Sequence, residues 1–78
     1  MRVMNKGISL SLIDSDRFLE MPSTAQALYF HLAIRADEKG YVKNTRAVMR
    51  MLNCSEGDYE ALTSKGFVHP IAGYVVLD

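Results

Sequence analysis

The sequence predicts a mainly α domain with a small amount of β structure. Three observations predict it. Capping residues mark the starts of three successive helices in the middle of the chain. Apolar residues recur at helical spacing across each of them. A closing stretch, "FVHPIAGYVVLD", reads as two short strands around a turn. The 78 residues make one domain, spanning 1–78, and about half of them are apolar, enough for a core without disulfides or a metal. A chain of this size buries only ~60% of its unfolded surface, so modest stability is expected.

Each element follows in order. "ISLSLI" alternates, with Ile8, Leu10 and Leu12 on one side and Ser9 and Ser11 on the other, the pattern of an amino-terminal strand. Asp14 or Ser15 can cap a short helix that holds Phe18, Leu19 and Met21 and stops at Pro22. Ser23 stands three residues before Gln26, a capping-box spacing, and opens a helix expected to reach about Asp37, with Gly40 suited to a left-handed cap. Tyr41 and Val42 are short and extended. Asn44 can cap a second helix through "TRAVMRML", and Ser55 with Asp58 opens a third, closed by Gly66 with Phe67 beyond it. Pro70 belongs at a sheet edge or a strand end. An amino-terminal strand and short helix, a three-helix core and a carboxy-terminal hairpin make the winged-helix arrangement. The very short turn at Asn53 and Cys54 is that of a helix-turn-helix unit.

At 100° per residue, Ala25, Leu28, Tyr29, Leu32, Ala33 and Ala36 form one broad face of the first long helix, expected against the two later helices. Ala27, Phe30 and Ile34 form the opposite face, expected under Leu10, Leu12 and Phe18 or under another subunit. His31 and Arg35 fall in a narrow polar stripe and read as surface residues. Tyr29 and Phe30 diverge by one helical step and read as core rather than as a stacking platform. In the second helix Ala47, Val48, Met51 and Leu52 are expected to face the core, with Arg46 and Arg50 on one exposed edge, and Met49 and Met51 are read as core filler. In the third, Tyr59 and Leu62 point inward, and Glu56, Glu60, Thr63 and Ser64 outward.

Nine Lys and Arg balance nine Asp and Glu, which argues against a non-specific polyanion coat. One cysteine and two histidines cannot form an intramolecular disulfide or the usual four-ligand zinc site. Cys54 reads as a small turn residue in a reducing compartment, and Asp14 with Asp16 as the ordinary acids of a helix start. No stretch approaches the ~20 apolar residues of a membrane helix, and a cytoplasmic protein is expected. No catalytic set, phosphate-cradling glycine loop or cofactor motif is present, so no enzyme is expected. The concentrated basic segment runs from Lys39 through Lys43 and Arg46 to Arg50, with no Asp or Glu between Tyr41 and Cys54. These four residues are the candidate DNA-contacting set, with Arg2 and Lys6 as further candidates. Glu56 and Glu60 would confront phosphates if the third helix entered a groove, and the hairpin carries no Lys or Arg.

The segments "SLIDSDRFLEMP", "QALYFHLAIRADEKGYVKN", "VMRML" and "SEGDYEALTSKGFV" together resemble the amino-terminal domain of phage replisome-organiser proteins, related in architecture to the DnaD-like replication-initiation proteins of low-GC Gram-positive bacteria. The resemblance covers about Ile8 to Val76. It implies a winged-helix domain of a phage or prophage protein in the bacterial host cytoplasm, acting at a replication origin and helping to recruit helicase-loading proteins, with self-association a further expectation. Members of the family usually continue into a further region, so the chain is expected to be the amino-terminal part of a longer protein or a short relative. Two other functions share this fold: an assembly or oligomerisation domain without direct DNA contact, and a transcriptional regulator.

Overall fold

A computed structural model describes residues 10–77. Among them are five helices and one antiparallel sheet: α1 (Leu10–Ile13), α2 (Asp16–Leu19), α3 (Ser23–Arg35), β1 (Tyr41–Val42), α4 (Thr45–Leu52), α5 (Glu56–Ser64), β2 (Val68–Ile71) and β3 (Tyr74–Leu77). The sheet order is β1-β3-β2. Together they make a small α+β domain around one core.

The expected amino-terminal strand is corrected first. Leu10–Ile13 is a helical turn, closed by the Asp14 amide on the Leu10 carbonyl at 2.9 Å. Ile8 and Ser9, like Arg2 and Lys6, lie outside the described residues. The alternation misled because no sheet face receives it. Leu12 and its neighbour Ile13 pack together against the core, while Leu10 is 69% exposed. Ser15 ends this turn and starts the next: its hydroxyl donates to Leu12 O at 2.7 Å and accepts from the Phe18 amide at 3.3 Å.

Helix α3 is the axis of the fold, and Ala25, Leu28, Tyr29, Leu32 and Ala33 on its broad face are buried as expected. Its start differs from the capping-box expectation. Pro22 holds the cap position, and the Gln26 side chain donates instead to Met21 O at 2.9 Å and to Leu19 O at 3.4 Å. A proline suits this boundary because its fixed φ leads into the first turn without a wasted amide. The helix also ends two residues early, at Arg35. Asp37 leaves it to organise the turn into β1, accepting from the Lys39 and Tyr41 amides at 2.9 and 3.0 Å. Gly40, at φ +88°, therefore serves that turn rather than the helix end. Its carbonyl accepts from the Leu77 amide at 2.9 Å, and a Cβ there would meet Leu77 O at 3.4 Å.

On the second face of α3, Phe30 lies partly buried against Phe18, ring centroids 5.6 Å apart. Ile34 and Ala27 remain exposed, so the cover expected over this face is partial. His31 and Arg35 pair locally, with Arg35 Nη1 donating to His31 O at 2.9 Å.

Helices α4 and α5 close alike. The Cys54 amide reaches Met49 O and the Asn53 amide Arg50 O; Phe67 reaches Leu62 O and Gly66 reaches Thr63 O. Each is a Schellman closure around a left-handed residue, Asn53 at φ +59° and Gly66 at φ +81°. Helix α5 begins with the expected capping box between Ser55 and Asp58. The buried face of α4 is rotated from expectation. Thr45, Val48 and Met49 are buried, whereas Ala47 is exposed and Met51 is 57% exposed. Of the two methionines, Met49 alone fills the core.

In the hairpin, Ile71 pairs with Tyr74 across Ala72 and Gly73, both at positive φ (+48° and +88°), a two-residue type I′ turn. Alanine carries a steric cost in the left-handed region that asparagine carries far less. Ala72→Asn is expected to raise stability by about 0.5–1 kcal/mol in urea titration; a loss of stability would show that the turn is not of this type.

Candidate nucleic-acid interface

The acid-free segment from Tyr41 to Cys54 folds into β1, the turn after it and α4. The positions of its four cations are unequal. Lys39 sits in the turn held by Asp37. Amide donors, Tyr41 first, keep the Asp37 carboxyl below its usual range, with the Lys39 charge adding to the effect. Lys39 therefore stands beside a fixed negative charge. Lys43 follows β1, exposed and with no hydrogen bond or ion pair among the described residues.

Arg46, in the first turn of α4, is committed elsewhere. Its Nη1 bonds the Glu56 carboxylate and lies 3.8 Å from Met49 Sδ, and its guanidinium carbon stands 5.0 Å from the centre of the Tyr59 ring. The ion pair is mostly solvent-facing, so it is worth at most about 1 kcal/mol. Arg50, one turn on, is exposed, and its side chain has no hydrogen-bond or ion-pair partner among the described residues.

Two concave surfaces adjoin this edge. The first is a cleft of about 360 Å³ between the start of α4 and the hairpin. Lys43, Asn44, Thr45 and Arg46 line one side, with Tyr59 and Tyr74 among the others, and no carboxylate lines it. The second is a groove beside the α4–α5 turn, lined by Arg46, Arg50 and Asn53 but also by Glu56. Of the sequence candidates, Lys43 and Arg46 thus share the first, Arg46 and Arg50 share the second, and Lys39 lines neither. Comparison with protein-family models, curated proteins and solved structures gives no match.

Helix α5 is the less hospitable surface for a polyanion. Its exposed side carries Glu56 and Glu60, and it has no Lys or Arg. Of the nearest cations, Arg17 donates to Lys65 O and stacks 4.8 Å over Phe67, while Lys65 pairs with Glu20 at 3.7 Å.

Cys54 is a joint rather than a nucleophile. Its thiol donates to Thr24 O at 3.7 Å, and burial, with the nearby Asp58 charge, pushes its pKa up. That disfavours the thiolate that reactivity needs. Among the described residues no three His, Cys, Asp or Glu side chains gather as a metal site would require, and no helix is long and apolar enough to cross a membrane.

Thr45, Tyr59 and Tyr74, none of them a candidate from the sequence, also line the cleft. A signal for Thr45 was available: it shares the helical phase of Val48, Met49 and Leu52, a polar residue at a core position.

Proposed function

We propose that the chain is a winged-helix module that contacts nucleic acid in the initiation of replication, of the phage replisome-organiser kind. The succession α3, β1, α4, α5 and hairpin, with β1 completing a three-stranded sheet, supports the fold assignment. The resemblance of the sequence segments supports the replication role, and with it helicase-loading proteins as partners. The observation that carries nucleic-acid contact is the acid-free cleft holding Lys43 and Arg46, continued along α4 by Arg50. Contact runs through α4 and the turn end of the hairpin, where Pro70, Gly73 and Tyr74 line the cleft. Helix α5, which a conventional helix-turn-helix inserts in the major groove, turns Glu56 and Glu60 outward.

Salt dependence tests this. Fluorescence anisotropy with duplex and single-stranded oligonucleotides, between ~50 and ~200 mM salt, gives the slope of log K against log salt. Lys43→Ala combined with Arg50→Ala is expected to flatten that slope by about two for a duplex, roughly one for each phosphate no longer neutralised. Arg46→Ala is expected to change it less, because Glu56 already engages the guanidinium. An unchanged slope in the double variant would remove this edge from the account. Absence of binding at low salt would favour an assembly module instead, a reading supported by Leu19 and Ile34, large apolar side chains that are 57% and 43% exposed.

A further inference from the structure

We infer that the cleft between the first turn of α4 and the hairpin is a phosphate site, taking one phosphate or phosphate-ester group against Lys43, the Thr45 hydroxyl and the leading amides of α4. Three independent observations converge there. The first is an uncompensated helix start. Asn44 holds the cap position of α4 without a side-chain cap bond, and no acid stands in the first turn. The amides of Thr45, Arg46 and Ala47 open the helix, where the backbone leaves donors unpaired and the dipole favours an anion. The start of α5 is the opposite case, closed by its capping box and by Glu56 and Asp58.

The second observation is a buried polar atom. Thr45 lines the cleft and is only 8% exposed, yet its hydroxyl has no hydrogen-bond partner among the described residues. Buried hydroxyls are nearly always paired. Valine would fill the same space at the same helical phase without that cost, and the threonine hydroxyl leaves a donor for a group bound beside it. A phosphate oxygen accepts from a hydroxyl, from amides and from an ammonium alike.

The third is charge. Lys43 and Arg46 line the cleft and no carboxylate does, whereas the neighbouring groove includes Glu56. The cleft volume, about 360 Å³, lies in the lower part of the range of roughly 300–1,000 Å³ typical of ligand pockets, large enough for a phosphate with part of an attached sugar. Tyr59 and Tyr74 supply aromatic walls for that attached group.

The site itself follows from these residues; only the nucleic-acid source of its phosphate rests on the reading proposed above. The test is amide NMR of the whole chain at constant ionic strength, titrated with inorganic phosphate, then thymidine monophosphate, then a single-stranded oligonucleotide. The amides of Thr45, Arg46 and Ala47 are expected to shift saturably with inorganic phosphate. Thr45→Val is expected to weaken that binding roughly tenfold, the loss of one hydrogen bond to a charged group. The same variant is expected to melt a few degrees higher, since it removes an unpaired buried hydroxyl. The higher melting point also establishes that the variant is folded.

Undiminished phosphate affinity in Thr45→Val, shifts confined to Asn53, Cys54 and Glu56, or a lowered melting point would each overturn the site. A parallel loss of oligonucleotide affinity in Thr45→Val supports a nucleic-acid phosphate as the occupant. Phosphate binding with oligonucleotide affinity unchanged supports the site and overturns its link to nucleic acid. Oligonucleotide binding without phosphate shifts overturns the site and leaves the function proposal standing.

Discussion

Phe18→Ala is expected to cost about 3–5 kcal/mol and to leave the domain substantially unfolded under mild denaturing conditions. Phe18 is 1% exposed at the centre of an aromatic cluster. Its ring meets Tyr29 at 5.5 Å, Phe30 at 5.6 Å and Phe67 at 5.5 Å, each nearly edge-on. Those partners come from both faces of α3 and from the residue that leads into β2, so a single side chain on a four-residue helix joins three parts of the fold. A domain of this length holds about 4–12 kcal/mol in total, at ~0.05–0.15 kcal/mol per residue, and cannot absorb such a cavity comfortably. Urea titration measures the effect, with Phe18→Leu as the comparison that keeps part of the volume. A loss below about 1 kcal/mol for Phe18→Ala would mean that α2 is not docked on the core.

Asp58→Ala is expected to cost about 2–4 kcal/mol. The carboxylate is buried, and both of its oxygens are used. Oδ1 accepts from the Thr24 hydroxyl at 2.7 Å and Oδ2 from the Ser55 amide at 3.1 Å. Hydrogen bonds to a charged group are worth about 1.5–3 kcal/mol, and alanine also leaves a hydroxyl and an amide short of a partner. Thr24 belongs to the first turn of α3, so this side chain fastens the start of one helix to the start of another. A double-mutant cycle with Thr24→Val isolates that link. A coupling energy of about 1–2 kcal/mol is expected, and additivity within ~0.5 kcal/mol would mean that the two residues do not cooperate. Because this joint orients α5 against α3, Asp58→Asn is the milder probe: it keeps the volume but retains one acceptor oxygen in place of two.

The parts of the fold that were legible in the sequence are those with local causes. Ser55 and Asp58 satisfy each other within one turn, Gly66 supplies a left-handed residue, and the apolar spacing of α3 names its buried face. What was illegible depends on elements distant in sequence. "ISLSLI" alternates as a strand would, yet its last four residues, "LSLI", also suit a helical turn, and only the position of the core determines which residues are covered. Apolar residues occupy so much of "TRAVMRML" that two rotations of the helix look equally good. Packing against the rest of the fold selects the one that buries Thr45 and Met49 and exposes Ala47 and Met51. Tyr41 and Val42 give no hint that they pair with Val76 and Val75. The candidate site divides in the same way. The basic segment is visible as composition, but the Arg46–Glu56 pair and the unpaired Thr45 hydroxyl exist only once the α4–α5 turn and the hairpin are in place.

Pro70 has a consequence for how copies of this domain can meet. The Ile71–Tyr74 pair flanks the two-residue turn and exchanges ladder bonds, so by alternation the next residues, Pro70 and Val75, turn their backbone groups away from each other. Of the two β2 positions that turn their backbone groups outward, Val68 and Pro70, one is therefore a proline, which has no donor to offer an incoming strand. On the other side β1 offers only two residues before exposed Lys43. Both open edges of the sheet are thus poor templates for strand addition, a protection against edge-to-edge aggregation. With strand addition disfavoured, exposed apolar side chains are the better means of pairing these domains, Leu19 and Ile34 on the helices and Ile71 and Tyr74 on the hairpin.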